Sequence, residues 1–141
     1  MTAHVHDHAA EKAGLTRNQS LVLDVLEGSD APLSAYSILD QLRDEGLKAP
    51  LQVYRALDKL LDLGLAHRLE SLNAFIACAQ PQCHRAGLIA FAICESCNQV
   101  SEFSDAVVKE RLASWADREG FLPSRTTMEI RGTCHACREA A

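Results

Sequence analysis

Along the first half of the chain, apolar positions recur with the 3.6-residue period of helices and then switch to the two-residue period of strands. Leu21, Val22, Val25 and Leu26 share one helical face, and Thr16 followed by Gln19 forms a capping-box pattern just before them, which predicts a first helix from Arg17 to Glu27. Pro32 and Ser34 then punctuate the chain. Ile38, Leu39 and Leu42 repeat the helical spacing until Gly46, which predicts a second helix. Pro50 opens a third stripe, Val53, Leu57, Leu60 and Leu61, that stops at Gly64, with Leu51, Arg55, Asp58, Lys59 and Asp62 on the opposite side. From Leu65 to Leu69 and from Ala74 to Ala77 the pattern is strand-like, with a polar turn over Glu70 to Asn73 between them. Three helices followed by a hairpin describe a winged helix-turn-helix whose third helix is placed to enter a DNA major groove. A generic helical domain would share the same periodicity.

Ala79 to Ala86 carries Pro81 and no periodicity, as a linker would. Beyond it Ile89, Phe91 and Ile93 alternate as in a strand, Gln99 to Phe103 makes a second, Val108, Leu112 and Trp115 mark a helix ending at Gly120, and Thr126, Met128 and Ile130 alternate again. The expected fold class is α+β: a winged helix over residues 1–78, a hinge over 79–86, and a small α/β domain over 87–141.

Composition changes this picture in two ways. The chain has 141 residues, 48% of them hydrophobic, enough to bury a core. Its longest apolar stretch, Ala86 to Cys94, is far short of the roughly 20 residues that cross a bilayer, and Met1 to Lys12 has no signal-peptide core. A soluble cytoplasmic protein with no membrane partner is expected, and in a reducing compartment its six cysteines point to metal or redox chemistry rather than disulfides. The net charge of −5 counts against nucleic-acid binding, because affinity for DNA comes largely from cations neutralising phosphates. A local positive field is sufficient, however, and Arg17, Arg43, Lys48, Arg55, Lys59 and Arg68 all fall in the first half.

The candidate chemistry lies in the cysteines. Cys94-Glu95-Ser96-Cys97 and Cys134-His135-Ala136-Cys137 are two C-x-x-C knuckles, each able to present two thiolates to one cation. Four soft ligands suit a tetrahedral structural zinc that supplements a small core. The competing readings are a redox dithiol, whose usual place at a helix N-terminus of a βαβ unit is not predicted here, and a bound iron centre.

Leu15-Thr16, Ser34-Ala35-Tyr36, Val53-Tyr54-Arg55-Ala56-Leu57, Gly64-Leu65 and the two C-x-x-C pairs together resemble the ferric uptake regulator family, over roughly residues 14 to 138. Within it, His67-Arg68-Leu69-Glu70-Ser71 and Phe75-Ile76-Ala77-Cys78 look most like the zinc uptake regulators. The resemblance implies a homodimer, binding to double-stranded palindromic operator DNA, and zinc-dependent repression of zinc-uptake genes. Carried over by position, a regulatory zinc site falls on His67, Cys78, His84 and Glu102, giving two Zn²⁺ per chain. One thiolate, two imidazoles and one carboxylate suit tetrahedral zinc, whereas an iron or manganese sensor is expected to use oxygen and nitrogen donors. These ligands flank the linker, so zinc would bridge the two domains.

Arg55, on the polar side near the start of the third helix, is expected to read a purine, with Tyr36 and Tyr54 touching a thymine methyl or a phosphate and Lys59 adding a cation. Packing is the alternative for each tyrosine. Cys83 is a competing ligand beside His84, and His4, His6 and His8 are either a further ion site or a frayed terminus. Another divalent metal as effector, a zinc buffer and a zinc enzyme are the alternatives. Four protein ligands leave no open position for catalysis, and no nucleophile elbow, phosphate loop or H-E-x-x-H helix occurs. No enzyme activity is expected.

Overall fold

Thr16 and Gln19 close a capping box at the start of the first long helix of a computed structural model, which describes residues 8–79 and 88–140. The chain divides into two compact units, Met1–Pro81 and Gln82–Ala141.

The first unit contains α1 (His8–Ala13), α2 (Arg17–Glu27), α3 (Ala35–Leu42) running into a 3₁₀ turn at Arg43–Glu45, α4 (Pro50–Asp62), and a hairpin of β1 (Ala66–Leu69) and β2 (Ala74–Ala77). Helix α1 begins at His8, one of the three histidines for which a further ion site and a frayed terminus are the alternatives; its Lys12 pairs with Glu27 of α2. His4 and His6 lie outside the described residues. Ser34 caps α3 by accepting from the Ser37 amide at 3.1 Å. Ala49 has no side-chain acceptor with which to cap α4, and the amides of Lys48 and Ala49 donate instead to the Gln52 Oε1, at 2.8 and 3.2 Å.

Val22, Leu26, Ile38, Leu39, Val53, Leu57 and Leu60 meet in one core with Leu65 and Phe75 of the hairpin region. Each such side chain contributes roughly 1.5–3 kcal/mol by leaving water. The buried face of α2 is rotated from the expected one: Leu23 is buried, while Leu21 and Val25 pack only partly. Leu33 exchanges both backbone hydrogen bonds with Phe75, at 2.9 and 2.8 Å, and so ties the hairpin to the segment between α2 and α3. Three core helices and a tethered hairpin constitute a winged helix-turn-helix.

The second unit contains β3 (Leu88–Cys94), β4 (Val100–Phe103), α5 (Ala106–Glu119), β5 (Thr126–Gly132) and α6 (His135–Ala140). The sheet order is β4-β3-β5, with β4 antiparallel and β5 parallel to the central strand. A parallel neighbour requires a crossover. Helix α5 lies in that connection and is capped by Asp105, which accepts from the amides of Val107 and Val108. Ala90, Phe91, Ile93 and Cys94 of β3 are buried. On α5 only Ala116 is buried, whereas Leu112 and Trp115 of the expected apolar stripe are exposed. The short helix α6 was not foreshadowed by any periodicity. Among the described residues no helix is long and apolar enough to cross a membrane.

Candidate metal centre and nucleic-acid interface

The parallel pairing of β3 and β5 assembles the cysteine cluster. Cys94 stands opposite Gly132 in the register, two residues before Cys134, so the first cysteines of the two knuckles are brought side by side. Each knuckle then turns. Asn98 takes a left-handed conformation at φ 62° and its amide donates to the Cys94 carbonyl at 2.9 Å, while the second knuckle runs into α6. The sulfurs of Cys94, Cys97, Cys134 and Cys137 all lie within 4.8 Å of one another.

Four ligands at about 2.3 Å around a tetrahedral zinc have sulfurs roughly 3.8 Å apart. Cys97 Sγ and Cys134 Sγ are 3.8 Å apart. The donor set therefore fits zinc in both chemistry and spacing. The Cys134 amide donates to Cys94 Sγ at 3.3 Å, and this bond, with help from the Cys97 amide, pulls the Cys94 thiol down to about 6. Cys137 is pushed up to about 12, first by Cys134 and then by Cys94 and Cys97, because thiolates so close together oppose one another's ionisation. A divalent cation is the group that removes this conflict. The second knuckle does occupy a helix start, as a redox dithiol would, but here four thiols converge rather than two.

A second donor pair lies on the hairpin of the first unit. His67 is opposite Ile76 in the β1–β2 register, and the ladder continues through the Cys78 amide, which donates to the Leu65 carbonyl at 2.9 Å. Side chains alternate along a strand, so Ile76 and Cys78 share a face, and Cys78 is the diagonal neighbour of His67. The ligand atoms of His67 and Cys78 lie within 4.8 Å of each other, and His67 is the one buried polar side chain among the described residues, at 5% exposure. Glu102 is a half-buried residue of β4, paired with Phe91. His84 and Cys83 fall outside the described residues.

The exposed side of α4 carries Tyr54, Arg55 and Lys59, as the helical projection requires, and Tyr36 is exposed at the start of α3. Arg55 lines a cleft with Thr16, Asn18, Gln19, Gln52 and Ala56, between the start of α2 and α4. The cations of this unit are not equivalent. Arg17 donates to the Glu45 carbonyl and carboxylate at 2.9 and 3.2 Å, Arg43 to Asp40 at 3.1 Å, and Arg68 lies 3.8 Å from Glu70. Among the described residues Lys48, Arg55 and Lys59 have no such ion pair, so no carboxylate has to be displaced before they meet an anionic partner.

A profile of the ferric uptake regulator family matches residues 11–131. The chain belongs to this family. It is 35% identical over 135 residues to the zinc uptake regulation protein of Escherichia coli (strain K12), covering 93% of this chain and 77% of the relative, and equally so to that of Shigella flexneri. A solved zinc uptake regulator in complex with zinc and DNA superposes with a TM-score of 0.85 at 34% identity, covering 94% of this chain and 93% of that one. Holo XcZur matches with a TM-score of 0.80 at 37% identity, over 95% and 96%. Family membership makes the chain a transcription regulator and not an enzyme.

Gln52 went unnoticed in the sequence although its signal was there: a glutamine at the third position after a non-capping residue can accept the amides that the cap leaves free.

Proposed function

We propose that this chain is a zinc-responsive transcriptional repressor that binds palindromic operator DNA as a homodimer when loaded with zinc, and so represses zinc-uptake genes in the cytoplasm. The observation that carries the reading is the nitrogen and sulfur pair His67 and Cys78, within 4.8 Å on the hairpin of the winged helix. A soft donor pair there supports metal sensing by the unit that carries α4. In this reading His84 and Glu102 complete the ligand set, and the four cysteines hold a second, structural ion, two per chain. The thiolate selects zinc over the harder Fe²⁺ and Mn²⁺.

Bound zinc would supply a fixed point shared by side chains from both sides of a hinge at 79–86. With those side chains fixed, the hinge has fewer conformations, and the two copies of α4 in a dimer keep the spacing of half-sites about 34 Å apart. A coupling of roughly 1–3 kcal/mol per site is the usual scale for such a restriction. Charge cannot serve instead: adding a dication while Cys78 loses a proton changes the site by about one charge, little against the −5 of each chain. Tyr36, Tyr54, Arg55 and Lys59 make the DNA contacts in this scheme. The exposed Leu112, Trp115, Phe121, Leu122 and Ile130 of the second unit support the homodimer, since a second copy would take them out of water.

The test is a gel shift on palindromic DNA over a series of buffered free-zinc concentrations, repeated with Fe²⁺ and Mn²⁺. Specific binding should rise with zinc and respond less to the other ions. Binding that is indifferent to zinc, or strongest with manganese or iron, would overturn the proposal.

A further inference from the structure

The first turn of α4 carries a leucine that the core does not use. Leu51 is 57% exposed, while Val53, Ala56, Leu57 and Leu60 turn the other side of the same helix inward. Spacings of three and four residues place Leu51 on one surface strip with Tyr54 and Arg55. A single exposed leucine on an ordinary surface needs no explanation. This one stands at the end of the helix that the distribution of charge selects for insertion into DNA.

The first turn of α4 has no acidic residue, whereas Asp58 and Asp62 are exposed in its later turns. Those carboxylates would be repelled by phosphates if the C-terminal half lay deepest in a groove, while the positive end of the helix dipole favours phosphates beside the N-terminus. Lys48, just ahead of that end, adds a cation. The end is also held in place, by Pro50 at the first helical position and by Gln52 accepting from two amides. A helix entering by this end brings Leu51 to the bases together with Arg55. The two are four residues apart, about 6 Å along the helix axis, so a helix inserted by this end can bring both to neighbouring bases. Leucine has no donor or acceptor, and the apolar group that base edges present in the major groove is the C5 methyl of thymine.

We propose that Leu51 is a specificity-determining residue that reads a thymine methyl near the base read by Arg55. The inference rests on the DNA-binding reading above and deepens it by naming a base contact.

The experiment uses the full-length zinc-loaded protein and a duplex that it selects from a random palindromic library. Each thymine of one half-site is replaced in turn by deoxyuracil, which removes the methyl and keeps every hydrogen-bonding group. Wild type should lose about fourfold in affinity at one of these positions, the fold-change that corresponds to about 0.8 kcal/mol for one buried methylene-sized group. Leu51→Ala should bind more weakly than wild type on the thymine duplex and show no further loss at that position, while Leu51→Met, which keeps an apolar side chain, should restore the loss. A helix merely loosened by the substitution would bind both duplexes more weakly and leave their ratio unchanged. If wild type shows no deoxyuracil penalty, or if Leu51→Ala keeps the same penalty at every thymine, Leu51 does not read a methyl, although the zinc-dependent DNA binding would stand. If wild type selects no duplex in zinc, both readings fail together.

Discussion

Arg55 combines three properties at the scale of a single residue: exposure on α4, a place in a cleft between the start of α2 and α4, and no ion pair among the described residues. A guanidinium so placed can offer two parallel donors to guanine. Arg55→Ala should cost about 1–3 kcal/mol per half-site and relax the preference at one base position, measured by competition among single-base operator variants. A uniform loss across all variants would make Arg55 a phosphate contact. The other arginines are expected to matter less, because their exposed pairs with Glu45, Asp40 and Glu70 must be opened before they can meet DNA. Such pairs are weak, worth about 0–1 kcal/mol, so the difference is one of degree.

Two elements bring candidate metal ligands together. The knuckles stand at the ends of β3 and β5, the two strands whose parallel pairing has no hairpin to support it. Cys97→Ser should remove one zinc per chain and lower stability; a loss of even about 2 kcal/mol shifts the unfolding midpoint of a domain of this size by about 10 °C. A variant that keeps both its midpoint and its zinc content would show that the cluster is not a structural site. On the hairpin, Cys78→Ser should behave differently. The hydroxyl keeps its proton at neutral pH and is a poor ligand, so the variant should retain its fold and its four-cysteine zinc. It should lose the second zinc and with it the response of DNA binding to zinc, leaving weak, salt-sensitive binding. Titrations of both proteins at matched salt, with and without zinc, would decide this. An unchanged response would move the sensory site elsewhere, with Cys83 the first candidate.

For the whole molecule, the decisive feature is the apolar surface left open on the second unit. Trp115 and Phe121 stack at a tilt with centroids 5.9 Å apart, and Leu122 beside them is 93% exposed. Surfaces of this kind on a single chain mark an association face. Leu122→Glu together with Trp115→Ser should convert the proposed dimer to monomer in sedimentation velocity, with the far-ultraviolet spectrum and zinc content retained. Specific DNA binding should fall by much more than the loss of one half-site contact, because two copies of α4 no longer act together. A double variant that sediments as a dimer would place the interface on another surface.

The sequence by itself determined the periodic elements: α3, α4, the hairpin and β3 follow from the apolar spacing, and the C-x-x-C pairs announce a thiolate metal site through ligand type alone. Those features are local, written within a few residues of one another. What only the tertiary structure decided was which distant residues meet and which apolar faces find cover. The parallel register that sets Cys94 opposite Gly132, the rotation of α2 that buries Leu23 in place of Val25, and the tie between Leu33 and Phe75 each join segments far apart in sequence, where no local pattern carries the information. The same holds for α5. Its spacing gives a helix whether its apolar stripe faces this chain's own sheet or another surface, and only the folded chain reveals that this chain leaves Leu112 and Trp115 uncovered. Helices α1 and α6 were missed for a related reason: at six residues each they are too short to show a period, and such short helices depend on packing rather than propensity.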